Sequence, residues 1–296
     1  MNKYVIATSS TSDLPAEYLK EHNIPFISYT YTIDDQVYTD DCTEEGRKFL
    51  MSQMRQGKLP NTSQITEFAY YEFLKPFAQE GLDILFVDMS RAVSSSINNA
   101  ERAIKSLREE FPERKITLLD SYCITSGLGL FLKQLIKRHE EGWDYDQILQ
   151  WGDEHKYEYI HRFMVEDLHW LRRGGRLSNA SAILGTILSI KPLIYIPDDG
   201  TLVSFKQVRG RKKAFRSLIE SCADDIADYT KDEEIAIIHS DAYEDAVSFR
   251  DSFLEAYPQF KDTQITILSL GAVIGCHVGP DFMAITYHGK HRINVK

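Results

Sequence analysis

Three consecutive hydroxyl side chains, Ser94–Ser96, stand between a short apolar run and a helical pattern. The run Ile84–Val87 is typical of a strand buried on both faces of a parallel sheet, and apolar residues recur at helical spacing over Ile97–Leu107. The first N–H groups of a helix lack internal partners and carry partial positive charge. Hydroxyls added there form a cradle for a carboxylate or a phosphate. The alternative is a set of ordinary N-cap serines.

Two further hydroxyl-rich segments, Thr8–Pro15 and Pro60–Gln64, stand at comparable turns of the chain. Strands alternate with helices throughout the first half, which predicts a doubly wound α/β arrangement. Ligands of such sheets bind beyond the carboxyl ends of the strands. We therefore expect the loops around Ser10, Thr62 and Ser94 to lie side by side.

The pattern changes in the second half of the chain. We expect an α/β domain over residues 1–157, with three layers around a mainly parallel sheet, and an α+β domain over residues 158–296, with the ligand site at their interface. A helix over 178–190 has an apolar side and a side kept thin by small residues, which suits either a slender apolar ligand or ordinary packing on a sheet. Three glycines around His277 predict a tight loop over 270–280.

Composition excludes several classes of protein. The net charge of −10 argues against bulk electrostatic binding of nucleic acid. The four cysteines are scattered and no zinc-type His/Cys spacing occurs, so we expect no metal and no cofactor. The sequence contains no P-loop and no G-x-S-x-G nucleophile elbow. We see no signal-peptide pattern and expect a cytoplasmic protein.

Serine chemistry is one alternative that the residues leave open. Ser94, His277 and Asp120 could form a hydrolytic triad, because triads are defined by geometry and not by order along the chain. Ser94 lies in a row of serines, however, and not on a strained glycine turn. A binding site in which hydroxyls, helix N–H groups and an imidazole hold a carboxylate fits the pattern better.

Six segments, in this order and over essentially the full length, carry a resemblance to a known family. They are Thr8–Pro15, Asn61–Gln64, Ser90–Ala100, Asp120–Ser121 with Ser126–Gly129, Leu171–Ser178 and Gly275–Pro280. The chain resembles the DegV family, whose characterised members are the fatty-acid-binding subunits of bacterial fatty acid kinase. Compared with the usual family pattern, this chain has Ser9 in place of Asp, Ser95 in place of Gly and Ile65 in place of Pro.

The resemblance implies a long-chain fatty acid of about C16–C18 buried in the protein. The matching carboxylate-binding residues are Thr62, Ser94 and His277, and we extend this set to the neighbouring Ser63 and Ser95. The acyl chain is expected in an apolar tunnel of the second domain. The expected tunnel walls are Ile183, Leu184, Ile187, Leu188 and Ile194.

The resemblance also implies a non-catalytic role beside a partner. A separate kinase subunit would bring ATP and convert the bound acid into acyl-phosphate, which an acyltransferase uses for phospholipid synthesis. Arg173 and Arg176 are candidate docking residues for the kinase, and a second basic group runs from Arg209 to Arg216. These groups suit a protein partner or transient contact with an anionic membrane, or they are simply solvated. A lipid-responsive regulator without a kinase partner is the other alternative.

Overall fold

The computed structural model describes residues 4–176 and 190–292. The helices of this part of the chain are Ala16–Glu21 (α1), Glu44–Arg55 (α2), Glu67–Gln79 (α3), Ser96–Glu110 (α4), Thr125–Glu140 (α5), Tyr145–His155 (α6), Leu168–Arg173 (α7), Arg211–Ser221 (α8), Tyr243–Ala256 (α9) and Ala272–Val278 (α10). The strands are Tyr4–Ser9 (β1), Phe26–Ile27 (β2), Thr30–Ile33 (β3), Gln36–Thr39 (β4), Asn61–Ser63 (β5), Asp83–Asp88 (β6), Ile116–Asp120 (β7), Tyr159–Met164 (β8), Ile190–Tyr195 (β9), Val203–Arg209 (β10), Ile235–His239 (β11), Ile265–Ser269 (β12) and Met283–His288 (β13). The predicted helix over 178–190 lies almost wholly outside the described residues.

The first sheet is parallel, with the strand order β2-β1-β6-β7. Its strand β6 is fully buried over Ile84–Val87, because β1 and β7 flank it and helices α3 and α6 pack against it. The predicted mainly parallel sheet of the N-terminal part is confirmed. The carboxyl ends of β1 and β6 lead into the hydroxyl-rich segments at Ser9–Ser12 and Ser94–Ser96, which brings these segments to one edge of the sheet.

The second sheet is mixed and has the strand order β10-β9-β8-β13-β11-β12. Its strands pair antiparallel except for β11 and β12, which are parallel neighbours. Helices α8 and α9 pack on one another and on this sheet. Strands and interposed helices of mixed connection confirm the α+β class predicted for the C-terminal part.

A small antiparallel sheet, β4-β3-β5, stands beside these two. The apolar segment 24–33 divides between β2 of the first sheet and β3 of this one. The predicted polar loop around Thr62 contains β5, in which Thr62 pairs with Tyr31. A three-residue polar strand has no recognisable pattern of its own, because its stability comes from the neighbouring strand with which it pairs.

The prediction of a loop around His277 is wrong, because residues Ala272–Val278 form helix α10. Gly271 precedes this helix and Gly279 ends it with a φ of 75°. Gly275 lies inside the helix because α2 packs closely there: a Cβ on Gly275 would lie 2.5 Å from Cε of Met51. Close packing of two helices therefore explains a glycine that the sequence pattern assigns to a loop.

The main apolar core crosses the boundary between the two sheets. One buried cluster contains Phe86 of β6 together with Phe163 of β8 and Ala284 of β13. A second cluster lies under α8 and α9. The division into domains at residues 157 and 158 stays a prediction. Among the described helices, none combines the length and apolarity needed to cross a membrane.

Candidate functional site

A cavity of about 190 Å³ lies where the carboxyl edge of the first sheet meets α10 and the second sheet. Its lining has two chemical parts. The polar lining residues are Tyr29, Thr62, Ser63, Gln64, Ser94, Arg176 and His277. The apolar lining residues are Met89, Val93, Ile124, Phe163, Leu171, Leu202, Val273, Ile274, Val278 and Phe282. A cavity with this division suits a ligand that has one polar group on an apolar body.

Thr62 and His277 form a hydrogen-bonded pair in this lining. Their Oγ1 and Nε2 atoms are 2.9 Å apart, although the residues are 215 positions apart in sequence. Strand β5 presents Thr62 and helix α10 presents His277. Gly174 makes room for the imidazole, because a Cβ at that position would lie 2.2 Å from Nδ1 of His277.

The electrostatic environment keeps His277 uncharged at neutral pH. Burial, together with the positive charges of Arg176 and Arg173, lowers the pKa of the imidazole to about 4. Its Nδ1 atom is buried and has no hydrogen-bond partner among the described residues. In the tautomer that carries its proton on Nε2, His277 donates to Thr62, and the Thr62 hydroxyl is then free to donate into the cavity.

Ser94 is buried just before the first residue of α4. Its Oγ accepts a hydrogen bond from the backbone N–H of Ser96 at 3.3 Å and lies 3.4 Å from the hydroxyl of Tyr29. When Tyr29 donates this bond, both lone pairs of Ser94 are occupied, and its own proton is available to a ligand. Ser94 and Thr62 are thus two hydroxyl donors on one cavity.

The other predicted binding residues are placed differently. Ser63 lies on the cavity lining. Ser95 is exposed, is absent from the lining and accepts a hydrogen bond from Nε2 of Gln64 at 2.6 Å. Ile194 is fully buried in the main apolar cluster but does not line the cavity. The remaining predicted tunnel residues, Ile183, Leu184, Ile187 and Leu188, lie outside the described residues.

The two arginines predicted for partner docking are bound within the chain. Arg173 donates to Oδ1 of Asn61 at 3.0 Å and to the backbone carbonyl groups of Pro60 and Cys276. Arg176 lines the cavity and donates through Nε to the carbonyl of Val93 at 3.0 Å. Burial lowers the pKa of Arg176 from its usual high range. Both cations therefore add positive potential close to the polar end of the cavity.

A buried carboxyl group, Asp88, supports the polar end from behind. It accepts hydrogen bonds from Ser9 Oγ at 2.7 Å and from the Tyr70 hydroxyl at 3.3 Å. The Tyr70 hydroxyl also lies 3.2 Å from Oγ of Ser96. Burial raises the pKa of Asp88 to about 6, while its hydrogen bonds oppose that rise.

Sequence reasoning missed Asp88, Tyr70 and Tyr29, which lie in or behind the site. Asp88 ends the apolar strand β6, so a carboxylate directly after a buried run was an available signal. Tyr29 and Tyr70 offered none, because a tyrosine in a strand or helix pattern is ordinarily a core residue.

The described geometry gives the triad hypothesis no support. A serine nucleophile needs a histidine within hydrogen-bond reach, and that histidine needs an orienting acid. Here Nε2 of His277 is bonded to Thr62. The carboxylate of Asp120 accepts instead from Arg91 at 2.8 Å and from the backbone N–H of Tyr122 at 2.9 Å. Within residues 4–176 and 190–292, no three metal-ligating side chains come together.

Comparison with known proteins places this chain in a family. Residues 3–290 match the family model described as "Uncharacterised protein, DegV family". A DegV domain-containing protein of Clostridium perfringens is 34% identical over 290 residues, which cover 98% of each chain.

Solved structures agree with this match. That of a fatty acid binding DegV family protein from Streptococcus agalactiae is 27% identical, with a TM-score of 0.82 over 99% of this chain and 100% of that chain. That of a stearic acid-binding protein from Eubacterium ventriosum is 20% identical, with a TM-score of 0.83 over 96% of this chain and 98% of that chain. The resemblance and the fold class are therefore confirmed, and this chain belongs to the DegV family.

Proposed function

We propose that this protein binds one long-chain fatty acid of about C16–C18, holds its carboxylate at Thr62 and Ser94, and presents that group to a separate kinase. The observation that carries the proposal is the cavity with hydroxyl donors at one end and apolar walls elsewhere. Family relatives whose structures are described as fatty acid binding support the choice of ligand.

The carboxylate needs donors because it leaves water on binding. An unpaired buried carboxylate is strongly disfavoured, whereas charge-assisted hydrogen bonds to hydroxyl groups stabilise it. Thr62 accepts a hydrogen bond from His277, and Ser94 accepts one from the backbone N–H of Ser96. Each hydroxyl can therefore donate its own proton to a ligand in the cavity. Ser63 offers a further hydroxyl on the same lining. Arg176 adds long-range attraction without a direct contact being required.

The apolar walls supply most of the affinity in this proposal. Burying about 15 methylene groups at about 0.8 kcal/mol each gives on the order of 10 kcal/mol before the entropy of association is subtracted. The buried rings of Phe163 and Phe282 form part of these walls. We further propose that Ile183, Leu184, Ile187, Leu188 and Ile194 extend them along the acyl chain.

The exposed side chains of Ser63 and Gln64 on the polar lining support presentation of the carboxylate to a kinase. The product is an acyl-phosphate, which an acyltransferase consumes in phospholipid synthesis, and both partners act in the cytoplasm. Arg209, Lys212, Lys213 and Arg216 are exposed on β10 and α8 and can attract an acidic partner or an anionic membrane during ligand exchange. Arg173 and Arg176 hold the chain at Asn61 and Val93, beside the polar end, by hydrogen bonds. We propose that they act in kinase docking by fixing the geometry of these loops.

Mass spectrometry of the gently denatured recombinant protein tests the ligand and its carboxylate site together. We expect a co-purifying fatty acid in the wild type. Thr62→Ala and Ser94→Ala should each lower fatty acid affinity about tenfold, because each removes one charge-assisted hydrogen bond. The melting temperature of the ligand-free protein should stay nearly unchanged.

Ser95→Ala is the matched control, because it deletes a neighbouring hydroxyl that is exposed and off the cavity. Equal affinity in all three variants would show that the carboxylate lies elsewhere. A ligand-free wild type that hydrolyses model esters would overturn the proposal in favour of the hydrolase. Full occupancy without acyl-phosphate formation by any added kinase would leave the lipid-responsive regulator as the function.

A further inference from the structure

The cavity meets solvent at its polar end. Among the lining residues that the structure describes, Ser63 and Gln64 are exposed and the others are buried or half-buried. Both exposed residues directly follow Thr62, whose hydroxyl lies on the same lining. The apolar walls, such as Phe163 and Phe282, are buried. Within the described chain, the way from solvent to the polar end therefore passes Ser63 and Gln64.

The side chain of Gln64 crosses from one side of this opening to the other. Its Nε2 donates to Oγ of Ser95 at 2.6 Å, and its Oε1 accepts from Nδ2 of Asn99 at 3.4 Å. Gln64 directly follows β5, whereas Ser95 and Asn99 lie at the start of α4. The same two segments carry Thr62 and Ser94. The Gln64 side chain therefore links, from the exposed side, the two segments that present these hydroxyl groups.

The backbone next to Gln64 is held by separate hydrogen bonds. The N–H of Ile65 donates to Oγ of Ser96 at 3.1 Å, and the carbonyl of Ile65 accepts from Nδ2 of Asn99 at 2.7 Å. Ile65 and Ser96 are buried, whereas Gln64 and Ser95 are exposed. The Gln64 side chain can therefore leave Ser95 while the backbone on which it stands stays in place.

The contact between Gln64 and Ser95 is weak enough to open. A hydrogen bond between two exposed neutral side chains adds little net stability, because water replaces either partner. A bond of this kind favours the closed side chain about fivefold. Exposed side chains change rotamer within nanoseconds, which is far faster than an enzymatic turnover. The Gln64 side chain therefore covers the polar end most of the time and still opens within each turnover.

We propose that Gln64 is a latch over the fatty acid carboxylate, held closed by Ser95, and that this latch determines access to the carboxylate from solvent. In the closed position the amide covers the outward side of the carboxylate. In the open position an incoming phosphoryl donor can reach it. The latch takes no part in bond making. This inference rests on the proposed function, because it requires a carboxylate at Thr62 and Ser94.

Palmitate labelled with carbon-13 at its carboxyl carbon reports this access directly. The full-length protein is loaded with the labelled acid, and a neutral soluble gadolinium chelate is added, which speeds the relaxation of nuclei that it can approach. We expect Ser95→Ala to raise this relaxation enhancement about twofold or more, because Gln64 loses its main partner and stays open longer. Ser95→Thr keeps the accepting hydroxyl and should restore the wild-type value.

Asn98→Ala is the matched control, because it shortens another exposed polar side chain of α4 that lies outside these hydrogen bonds. It should leave the relaxation enhancement and the melting temperature at their wild-type values. Ser95 is off the cavity lining, so Ser95→Ala should keep its fatty acid affinity.

The outcomes separate the latch from the proposed function. With palmitate bound to both proteins, equal enhancement in wild type and Ser95→Ala would overturn the latch alone. An enhancement that is raised in Ser95→Thr as well would show that the hydroxyl acceptor is not what holds Gln64, and would also overturn it. Absence of a bound palmitate signal in the wild type would overturn the proposed function, and the latch with it.

Discussion

The imidazole of His277 makes the stability of this protein depend on pH. In the unfolded chain a histidine takes up its proton near pH 6.5, but in the folded protein burial lowers the pKa of His277 to about 4. Between these values the unfolded state binds more protons than the folded state. The free energy of unfolding therefore rises with pH across this window and falls as pH drops through it.

Between pH 7 and pH 5, we predict that the free energy of unfolding falls by about 2 kcal/mol less in His277→Gln than in the wild type. Urea unfolding at both pH values measures the difference. The comparison with wild type is needed because His161, whose pKa burial lowers to about 3, contributes a slope of its own. His169→Gln is the control, since His169 is exposed. An unchanged slope in His277→Gln would show that the folded pKa of His277 lies near its ordinary value.

At the scale of elements, the helices that begin at a cap were predictable. Thr43 and Thr66 each accept the expected backbone N–H, from Gly46 and Ala69, at the start of α2 and α3. The hairpin turn at Asp34–Asp35 was equally predictable, since both residues take positive φ values that suit a tight turn. Local chemistry determines these features, so the sequence alone reveals them.

Features that depend on distant packing were not predictable from the sequence. Strand β5 exists because Thr62 pairs with Tyr31, and α10 exists although two glycines bound it and a third lies inside it. Their consequence for the site is direct, because these two elements carry Thr62 and His277. The sequence motifs predicted which residues belong together, whereas the strand and helix that orient them come from tertiary contacts.

Arg173 connects three of the elements around the cavity. It extends from α7 and donates to Asn61 of β5, to the carbonyl of Pro60 and to the carbonyl of Cys276 in α10. Its guanidinium also lies 5.4 Å from the ring centre of Trp170. A planar group with five donors can serve these acceptors together, whereas a lysine ammonium is a single point charge.

We predict that Arg173→Lys lowers the free energy of unfolding by about 1–2 kcal/mol and weakens fatty acid binding, because β5 and α10 lose their common anchor. Thermal unfolding and ligand titration measure the two effects. Arg172→Lys makes the same change at the adjacent, exposed position and should stay within about 0.5 kcal/mol of wild type. Identical behaviour of the two variants would mean that Arg173 does not anchor these elements.

At the scale of the whole molecule, the turn between β9 and β10 fastens the second sheet to the first. Gly200 of this turn accepts a hydrogen bond at its carbonyl from Oγ of Ser90, which follows β6, at 3.0 Å. Arg292, near the end of the described chain, reaches the carbonyl of Pro197 in the same turn. Leu202, two residues beyond Gly200, lines the cavity that we propose for the fatty acid. The contact between the two halves is thus also a wall of the site.

Gly200→Ala should loosen this contact by two effects that can be separated. The residue has a φ of +74°, which alone disfavours a side chain, and a Cβ there would lie 2.0 Å from Oγ of Ser90. Gly142 has a φ of +91° with no atom within 4 Å of the same added Cβ, so Gly142→Ala reproduces the backbone strain without the clash. We expect a loss of about 1 kcal/mol in Gly142→Ala from strain alone and about 2–4 kcal/mol in Gly200→Ala, where the overpacked contact is added.

The same pair of variants tests whether this contact controls access to the cavity. If the turn holds Leu202 against the ligand, Gly200→Ala should release a fluorescent fatty acid to lipid vesicles about tenfold faster than wild type, which corresponds to about 1.4 kcal/mol on the barrier. Gly142→Ala should release it at the wild-type rate, since Gly142 lies off the cavity lining. Stopped-flow transfer measures both rates. Unchanged release in Gly200→Ala, despite its lower stability, would mean that the ligand leaves by another route. The contact between Ser90 and Gly200 would then contribute to folding alone.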